Sequence, residues 1–171
     1  KKGMVAMKGS YHGKSFGALS LTFNPKYRKA FSPLVEKVSF ASFGDMDSLR
    51  SVIDEDTACI ILEPIQGESG IIVAPDGFLQ EVRNLCNEKG ILLIFDEIQA
   101  GLGRTGRLWA GEHWNTTPDI LCLAKGIAGG VPMGATLVRP DILAAISKGE
   151  HSSTFGGNPI SCAAGIAALT S

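Results

Sequence analysis

The sequence lacks the features of a membrane protein or a nucleic-acid-binding protein. No apolar run approaches the ~20 residues that cross a bilayer, and the amino-terminal segment becomes polar too soon for a secretory signal. Its 16 basic and 17 acidic residues nearly cancel, which leaves no basic stripe for nucleic acid and no acidic tail. The 171 residues, 44% of them apolar, are enough for one ordinary globular domain, and we expect a cytoplasmic protein.

Cysteine and histidine patterns that signal disulfides or metals are also missing. No Cys-x-x-Cys pair occurs. We therefore expect the four cysteines to be free thiols that are buried as small apolar residues in a reducing compartment: Cys59, Cys86, Cys122 and Cys162. The three histidines lack the spacing of metal ligands, and we predict no metal site. We expect structural roles for His12, His113 and His151.

Short apolar runs alternate with amphipathic segments along the chain. Strands are predicted at residues 4–7, 37–40, 58–62, 91–95, 120–123 and 135–138. Several of these runs are continuously apolar, which is typical of strands covered on both faces. Helical patterns occupy residues 45–53, 77–89 and 141–148. This order predicts an α/β fold with a mainly parallel sheet flanked by helices.

An acid and an amine stand at the ends of two predicted strands. Asp96 closes the run 91–95, and Lys125 follows the run 120–123. Ligands of open α/β sheets bind outside the carboxyl ends of the strands, where the glycines of this chain also cluster. A lysine and an acid in such places suit pyridoxal phosphate (PLP), whose aldehyde the lysine holds while the acid faces the pyridine nitrogen. The lysine must become neutral to react, so we expect a buried Lys125 with a lowered pKa. Taken singly, Lys125 could be a surface lysine and Asp96 a helix cap.

Two nucleotide-binding motifs are incomplete. Gly13-Lys14-Ser15 resembles a phosphate-binding P-loop, but the required first glycine falls at Lys8, so the loop is one residue short. The segment 101–106 satisfies G-x-G-x-x-G, but four residues separate it from the preceding strand, and no helix pattern follows. A P-loop-like nucleotide-binding module remains the alternative from a different functional class.

The motifs at the strand ends resemble those of class III, ornithine-type, PLP-dependent aminotransferases. The matching segments follow one another in family order and with family-like spacing: 11–15, 61–68, 95–106, 123–126, 129–134 and 153–159. Within this class the chain is most similar to acetylornithine aminotransferases and to carrier-protein-linked lysine and ornithine aminotransferases. The resemblance implies fold type I of the PLP-dependent transferases, with residues 1–171 forming the large PLP-binding domain. It also implies that an amino-terminal phosphate loop and a carboxyl-terminal small domain are absent from this fragment, which should be inactive alone.

The resemblance implies roles at the cofactor for the matched residues. Lys125 would form the Schiff base with the cofactor and shuttle the catalytic proton, and Asp96 would pair with the pyridine nitrogen. Glu97 belongs to the same cofactor-binding motif. Ile98 would pack on one ring face and Tyr11 on the other, although Tyr11 could be a half-buried loop aromatic. Gln99 would hydrogen-bond to the ring hydroxyl. Thr154 would bind the phosphate of the cofactor in the neighbouring subunit, which implies a homodimer.

The resemblance places three further residues at the substrate. Ser153 lies beside Thr154, and Glu68 corresponds to an acid that pairs with a carboxylate-binding arginine in relatives. Lys14 stands where the family usually has an arginine that grips a substrate carboxylate. Lysine keeps the positive charge but lacks the planar guanidinium that binds a carboxylate through two hydrogen bonds. The affinity for the substrate, or its identity, should therefore differ from that of the family members with arginine.

The implied reaction transfers the ω-amino group of a small-molecule donor to 2-oxoglutarate. The donor would resemble N-acetylornithine or a carrier-protein-linked lysine or ornithine, as in arginine or lysine biosynthesis. The same motifs also allow 4-aminobutyrate, ornithine or diaminopelargonate aminotransferases and glutamate-semialdehyde aminomutase.

Overall fold

The chain forms an α/β fold in which strands and helices alternate. A computed structural model describes all residues, 1–171. The strands are β1 (Gly3–Met7), β2 (Val38–Ala41), β3 (Thr57–Leu62), β4 (Ile65–Gln66), β5 (Ile72–Val73), β6 (Leu92–Asp96), β7 (Ile120–Leu123) and β8 (Ala135–Val138). The α-helices are α1 (Phe16–Leu21), α2 (Pro25–Arg28), α3 (Met46–Val52), α4 (Phe78–Lys89), α5 (Pro140–Leu143) and α6 (Pro159–Thr170). Three 3-10 turns complete the chain: Lys29–Phe31, Ala110–Trp114 and Lys125–Ala128.

One six-stranded sheet organises the molecule in the order β2-β1-β3-β6-β7-β8. The first five strands are parallel, and β8 runs antiparallel to β7. Strands β4 and β5 form a separate small hairpin. The prediction of a mainly parallel sheet is confirmed, and each of the six predicted strands lies within one residue of its expected bounds.

Helix α4 shows why the sequence folds in this way. Its buried residues recur at helical spacing and face the core: Phe78, Leu79, Val82, Leu85 and Cys86. Burial of a leucine or phenylalanine side chain contributes about 1.5–3 kcal/mol. The helix ends where predicted, because Gly90 adopts a left-handed conformation (φ 60°) and donates its N–H to the Cys86 carbonyl.

The helix predicted at residues 141–148 is shorter than expected. Helix α5 covers only Pro140–Leu143, and looser turns follow as far as Ile146. Leu143 and Ile146 are both exposed, so no core contact stabilises a longer helix. None of the helices combines the length and the apolarity that crossing a bilayer requires.

Candidate active site

The carboxyl ends of four neighbouring strands meet at one edge of the sheet. Strands β1, β3, β6 and β7 are parallel, so the loops that follow them converge there. Asp96 is the last residue of β6 and pairs in register with Cys122 of β7, three residues before Lys125. The structure therefore brings the predicted acid and amine to adjacent strand ends.

Asp96 is buried and held from two sides. Its side chain is 6% exposed, and Oδ2 lies 2.8 Å from Nδ1 of His12 in the loop after β1. Its other oxygen, Oδ1, accepts the Ile98 backbone N–H at 3.1 Å. His12 is predicted to have a structural role, and the structure adds a contact with the predicted acid. Nothing in the local pattern around His12 reveals this contact, because 84 residues separate the partners.

Lys125 begins the 3-10 turn after β7 and has an unusual backbone. Its φ is 46°, in the left-handed region that non-glycine residues rarely adopt. Its side chain is exposed and forms no hydrogen bond or ion pair. The expectation of a buried amine was wrong for this chain, in which Lys125 lies exposed at the start of the turn.

A cavity of about 480 Å³ opens beside Lys125. It is lined by Ile65, Gly67, Ile71, Ile98, Gln99, Ala100, Gly101, Leu102, Arg104, Thr105, Lys125 and Gly126. The side chains of Gln99, Arg104 and Lys125 form no hydrogen bonds within the chain, and no acid lines the cavity. The cavity therefore combines an aliphatic wall with uncommitted polar groups and two positive charges, which suits an anionic ligand with a flat apolar body.

Gly67 allows the cavity to be this compact. A Cβ at this position would lie 2.7 Å from Oε1 of Gln99, which is closer than van der Waals contact permits. The missing side chain lets the loop after β3 lie directly against Gln99.

A second hollow, of about 350 Å³, is lined by Glu68, the residue that follows Gly67 of the first cavity in sequence. Tyr11, Tyr27 and Glu68 line it, and the two tyrosine rings pack edge to face with centroids 5.7 Å apart. The Lys14 ammonium lies 4.9 Å from the centre of the Tyr27 ring, a cation–π arrangement. The structure thus separates Tyr11, Lys14 and Glu68 from the group around Lys125.

Glu63 joins the two regions and was not among the predicted site residues. It follows β3 as Lys125 follows β7, and an acid after a buried strand was the signal that could have revealed it. One carboxylate oxygen accepts the Tyr11 N–H at 3.0 Å and the other accepts the Gly67 N–H at 3.1 Å. Burial raises the pKa of Glu63, and these two hydrogen bonds oppose the rise.

Glu97, predicted to belong to the cofactor-binding motif, makes its hydrogen bonds away from this group. It is 1% exposed, and its two oxygens accept the backbone N–H groups of Ala110 and Gly111 at 2.6 and 2.8 Å. Successive strand residues point to opposite faces, so Glu97 turns away from the side that Asp96 occupies. Burial raises the pKa of Glu97, and the two amide bonds oppose the rise.

Ser153 and Thr154 lie in an exposed loop before α6. The Ser153 hydroxyl accepts the Gly156 N–H at 3.1 Å and lines a third hollow with Met133 and Asn158. Neither residue lines the cavity beside Lys125 or the hollow beside Tyr11. The chain by itself therefore does not bring these two residues to the site.

Part of the loop after β1 is committed to bonds within the chain. The Ser10 N–H donates to Met7, the Tyr11 N–H to Glu63 and the His12 N–H to Thr22, so these three amides do not offer themselves to a phosphate. The segment 101–106 forms turns and opens no helix, so it also lacks the context of a dinucleotide fingerprint.

The parallel sheet, the acid and lysine on adjacent strand ends and the cavity beside them define a cofactor-binding α/β domain. The family model of class-III aminotransferases matches residues 1–171. The chain belongs to the class III aminotransferases, and its architecture is fold type I of the PLP-dependent enzymes.

Relatives of known name support this assignment. The chain is 51% identical over 166 residues to acetylornithine aminotransferase of Methanopyrus kandleri, covering 97% of the chain and 43% of the relative. It is 50% identical over 167 residues to ornithine aminotransferase 1 of Staphylococcus saprophyticus, covering 97% and 42%. The chain thus spans less than half the length of these relatives.

Solved structures show the same fold. Ornithine aminotransferase from Toxoplasma gondii, with partial occupancy of PLP at its active site, superposes with a TM-score of 0.94 at 38% identity, covering 98% of the chain and 40% of that structure. A PLP-bound amine transaminase from an uncultivated Pseudomonas species gives a TM-score of 0.90 at 31% identity, covering 98% and 45%.

Proposed function

We propose that this chain carries the PLP site of an aminotransferase, with Lys125 and Asp96 as its catalytic residues. The observation that carries the proposal is the placement of the two side chains on the ends of adjacent parallel strands, where Lys125 lines a cavity together with the unpaired side chains of Gln99 and Arg104. Family membership supports the same chemistry.

The residues present fit PLP. The cavity of about 480 Å³ is within the range of cofactor sites. Ile98 and Ile65 offer an aliphatic surface for a flat ring, and the free amide of Gln99 can bond a ring hydroxyl. Asp96 does not line the cavity itself, but its buried carboxylate at the end of β6, held by two hydrogen bonds, would suit a protonated ring nitrogen.

When bound, PLP supplies an aldehyde that captures amines and a ring that stabilises negative charge on the substrate carbon. Asp96 holds a proton on the ring nitrogen, since a nearby carboxylate favours the cationic form. The Lys125 amine, free of ion pairs, holds the cofactor between reactions and then takes and returns the substrate proton as general base and acid.

The exposure of Lys125 agrees with a site that other parts of the protein complete. A desolvated amine reacts more readily, and segments of the longer polypeptide or of a partner subunit would supply the missing cover. Thr154 would then reach the phosphate of the neighbouring site in a homodimer, with Ser153 beside it. Glu68 and Tyr11, which line the second hollow, and Lys14, which lies over the Tyr27 ring, would form the substrate side of the ring.

The proposed donor carries an ω-amino group, and the proposed acceptor is 2-oxoglutarate. An N-acetylornithine-like donor is supported by the acetylornithine aminotransferases among the relatives, and the corresponding role is arginine biosynthesis. Carrier-protein-linked lysine or ornithine is an alternative within the same reaction. Ornithine itself is a second candidate, favoured by the 50% identity to a Staphylococcus enzyme of that name. We propose a cytoplasmic enzyme.

The test uses the complete polypeptide that contains this chain. Purified with PLP, it should show the visible absorbance of lysine-bound cofactor, and Lys125→Ala should abolish it. Lys148→Ala, which removes another exposed lysine without a partner, should leave the absorbance unchanged. Absence of the band from the parent protein, or its survival in Lys125→Ala, contradicts the proposal. A donor panel, read by loss of that absorbance on amine transfer, then ranks the substrates.

A further inference from the structure

Tyr27 lies between the aromatic wall of the second hollow and a positive charge. Its ring packs edge to face against Tyr11, with centroids 5.7 Å apart, and the Lys14 ammonium lies 4.9 Å from its centre. Both tyrosines line the hollow, together with Glu68. Because Tyr27 is part of the wall, the ammonium that it holds lies beside the space where a ligand would bind.

The Lys14 ammonium has no partner in the chain other than this ring. Lys14 is exposed, and its side chain forms neither a hydrogen bond nor an ion pair. A lysine on its own samples many rotamers, because its stem is long and flexible. The face of an aromatic ring attracts a cation and so favours the rotamers that place the ammonium over it. Tyr27 therefore selects among the positions that the charge of Lys14 can take.

Helix α2 keeps the Tyr27 ring in place. The N–H of Phe23, just before the helix, donates to the Ser10 carbonyl oxygen at 3.0 Å and so joins this segment to the loop after β1. At the end of the helix, the Arg28 guanidinium lies 4.9 Å from the centre of the Phe40 ring on β2. The ring is thus carried by a segment anchored on both sides, whereas the lysine that it contacts is flexible.

We propose that Tyr27 is a positioning residue for the substrate carboxylate: its ring holds the Lys14 ammonium beside the hollow, where the ammonium binds that carboxylate. When only a fraction of the lysine conformers can bind, the apparent dissociation constant is the intrinsic one divided by that fraction. Tyr27 increases the fraction without contacting the carboxylate itself. This inference rests on the proposed function, which assigns Lys14 to the substrate side of the site.

The test measures how strongly the complete protein, loaded with PLP, prefers a donor that bears a carboxylate. N-acetyl-L-ornithine is compared with N-acetylputrescine, and L-ornithine with putrescine, because the second member of each pair lacks only the carboxylate. The loss of cofactor absorbance gives the half-saturating concentration and the maximal rate for each donor. The decarboxylated donors offer nothing for Lys14 to bind, so they separate its effect from a general disturbance of the site.

Tyr27→Leu should raise the half-saturating concentration of the carboxylate-bearing donor about two- to fivefold, which corresponds to the loss of about 0.5–1 kcal/mol of cation–π attraction. Its maximal rate, and both values for the decarboxylated donor, should be those of the parent. Tyr27→Phe keeps the ring and should resemble the parent. Once Lys14→Met has removed the ammonium, adding Tyr27→Leu should have no further effect on the carboxylate preference. Phe31→Leu, which removes an exposed aromatic outside the hollow, is the matched control and should change nothing.

An unchanged carboxylate preference in folded Tyr27→Leu overturns the inference, and so does an equal loss with both donors of a pair. Tyr27→Phe as weak as Tyr27→Leu also overturns it, because the hydroxyl and not the ring would then be required. If Tyr27→Leu does not fold by circular dichroism, an unchanged preference in Lys14→Met is the overturning result. A parent protein without cofactor absorbance overturns the proposed function and this inference together. A parent with normal absorbance that converts neither pair, or converts both donors of a pair equally well, overturns only the inference.

Discussion

Replacing Glu97 by Gln separates the structural role of this residue from the cofactor contact that its motif implied. The two carboxylate oxygens accept the N–H groups of Ala110 and Gly111 in a site only 1% exposed. Glutamine retains one acceptor and turns an NH₂ group toward the other backbone donor. One charge-assisted bond, worth about 1.5–3 kcal/mol, is lost, and the other becomes a weaker neutral bond of about 0.5–1.5 kcal/mol.

The carboxylate also has a desolvation cost, which the rise in its pKa reflects and which glutamine partly removes. The net loss of unfolding free energy should therefore be about 2–4 kcal/mol. Because folding raises the pKa of Glu97, the contribution of this carboxyl to stability is fully present below the ordinary pKa of a glutamate. It is lost as pH rises through the higher pKa of the folded state. The deficit of Glu97→Gln should accordingly be larger at pH 4 than at pH 7.

Guanidinium unfolding of the cofactor-free protein measures this loss. Trp109 and Trp114 flank the segment that Glu97 holds, so tryptophan fluorescence reports on it directly. Glu112→Gln, an exposed acid in the same segment, is the matched control and should change stability by less than about 0.5 kcal/mol. Folded Glu97→Gln should bind PLP like the parent protein. Unchanged stability, or a loss of PLP affinity in the folded variant, would refute the reasoning.

Two further predictions concern the core. Gly111→Ala should destabilise the protein by about 1–3 kcal/mol, because a Cβ there would lie 2.8 Å from Phe95 Cε2 and 2.9 Å from the Thr116 carbonyl oxygen. Gly17→Ala, in open space on α1, should be neutral or stabilising by the same unfolding assay, and equal effects of the two changes would disprove the steric argument. Burial raises the pKa of the Cys86 thiol to about 12, so this thiol stays protonated at neutral pH. It should resist iodoacetamide in the native protein and react in denaturant, as read by mass spectrometry, and rapid native labelling of Cys86 would contradict its burial.

The fold was predictable because its signals are local. A continuously apolar run indicates a covered strand wherever it occurs, and the prediction placed all six strands of the main sheet within one residue. The prediction missed the two-residue strands β4 and β5 of the small hairpin. Helix α4 was equally predictable, because the spacing of its apolar residues and the Gly90 that ends it both lie within one short segment of the sequence. The helix predicted to reach residue 148 failed for the opposite reason, because its length depended on a packing partner for Leu143 and Ile146 that this chain does not provide.

At the candidate site, the sequence by itself identified the acid and the amine at the strand ends, and only the tertiary structure decided which side chains contact each other. The order and spacing of motifs placed Asp96 and Lys125 on strand ends, and strand polarity then required those ends to share an edge. The link between His12 and Asp96, the bridge from Glu63 to two loops and the turning of Glu97 toward Ala110 depend on side-chain directions across strands far apart in sequence. A linear pattern specifies which residues follow one another, whereas hydrogen bonds form between atoms that folding brings within 3 Å.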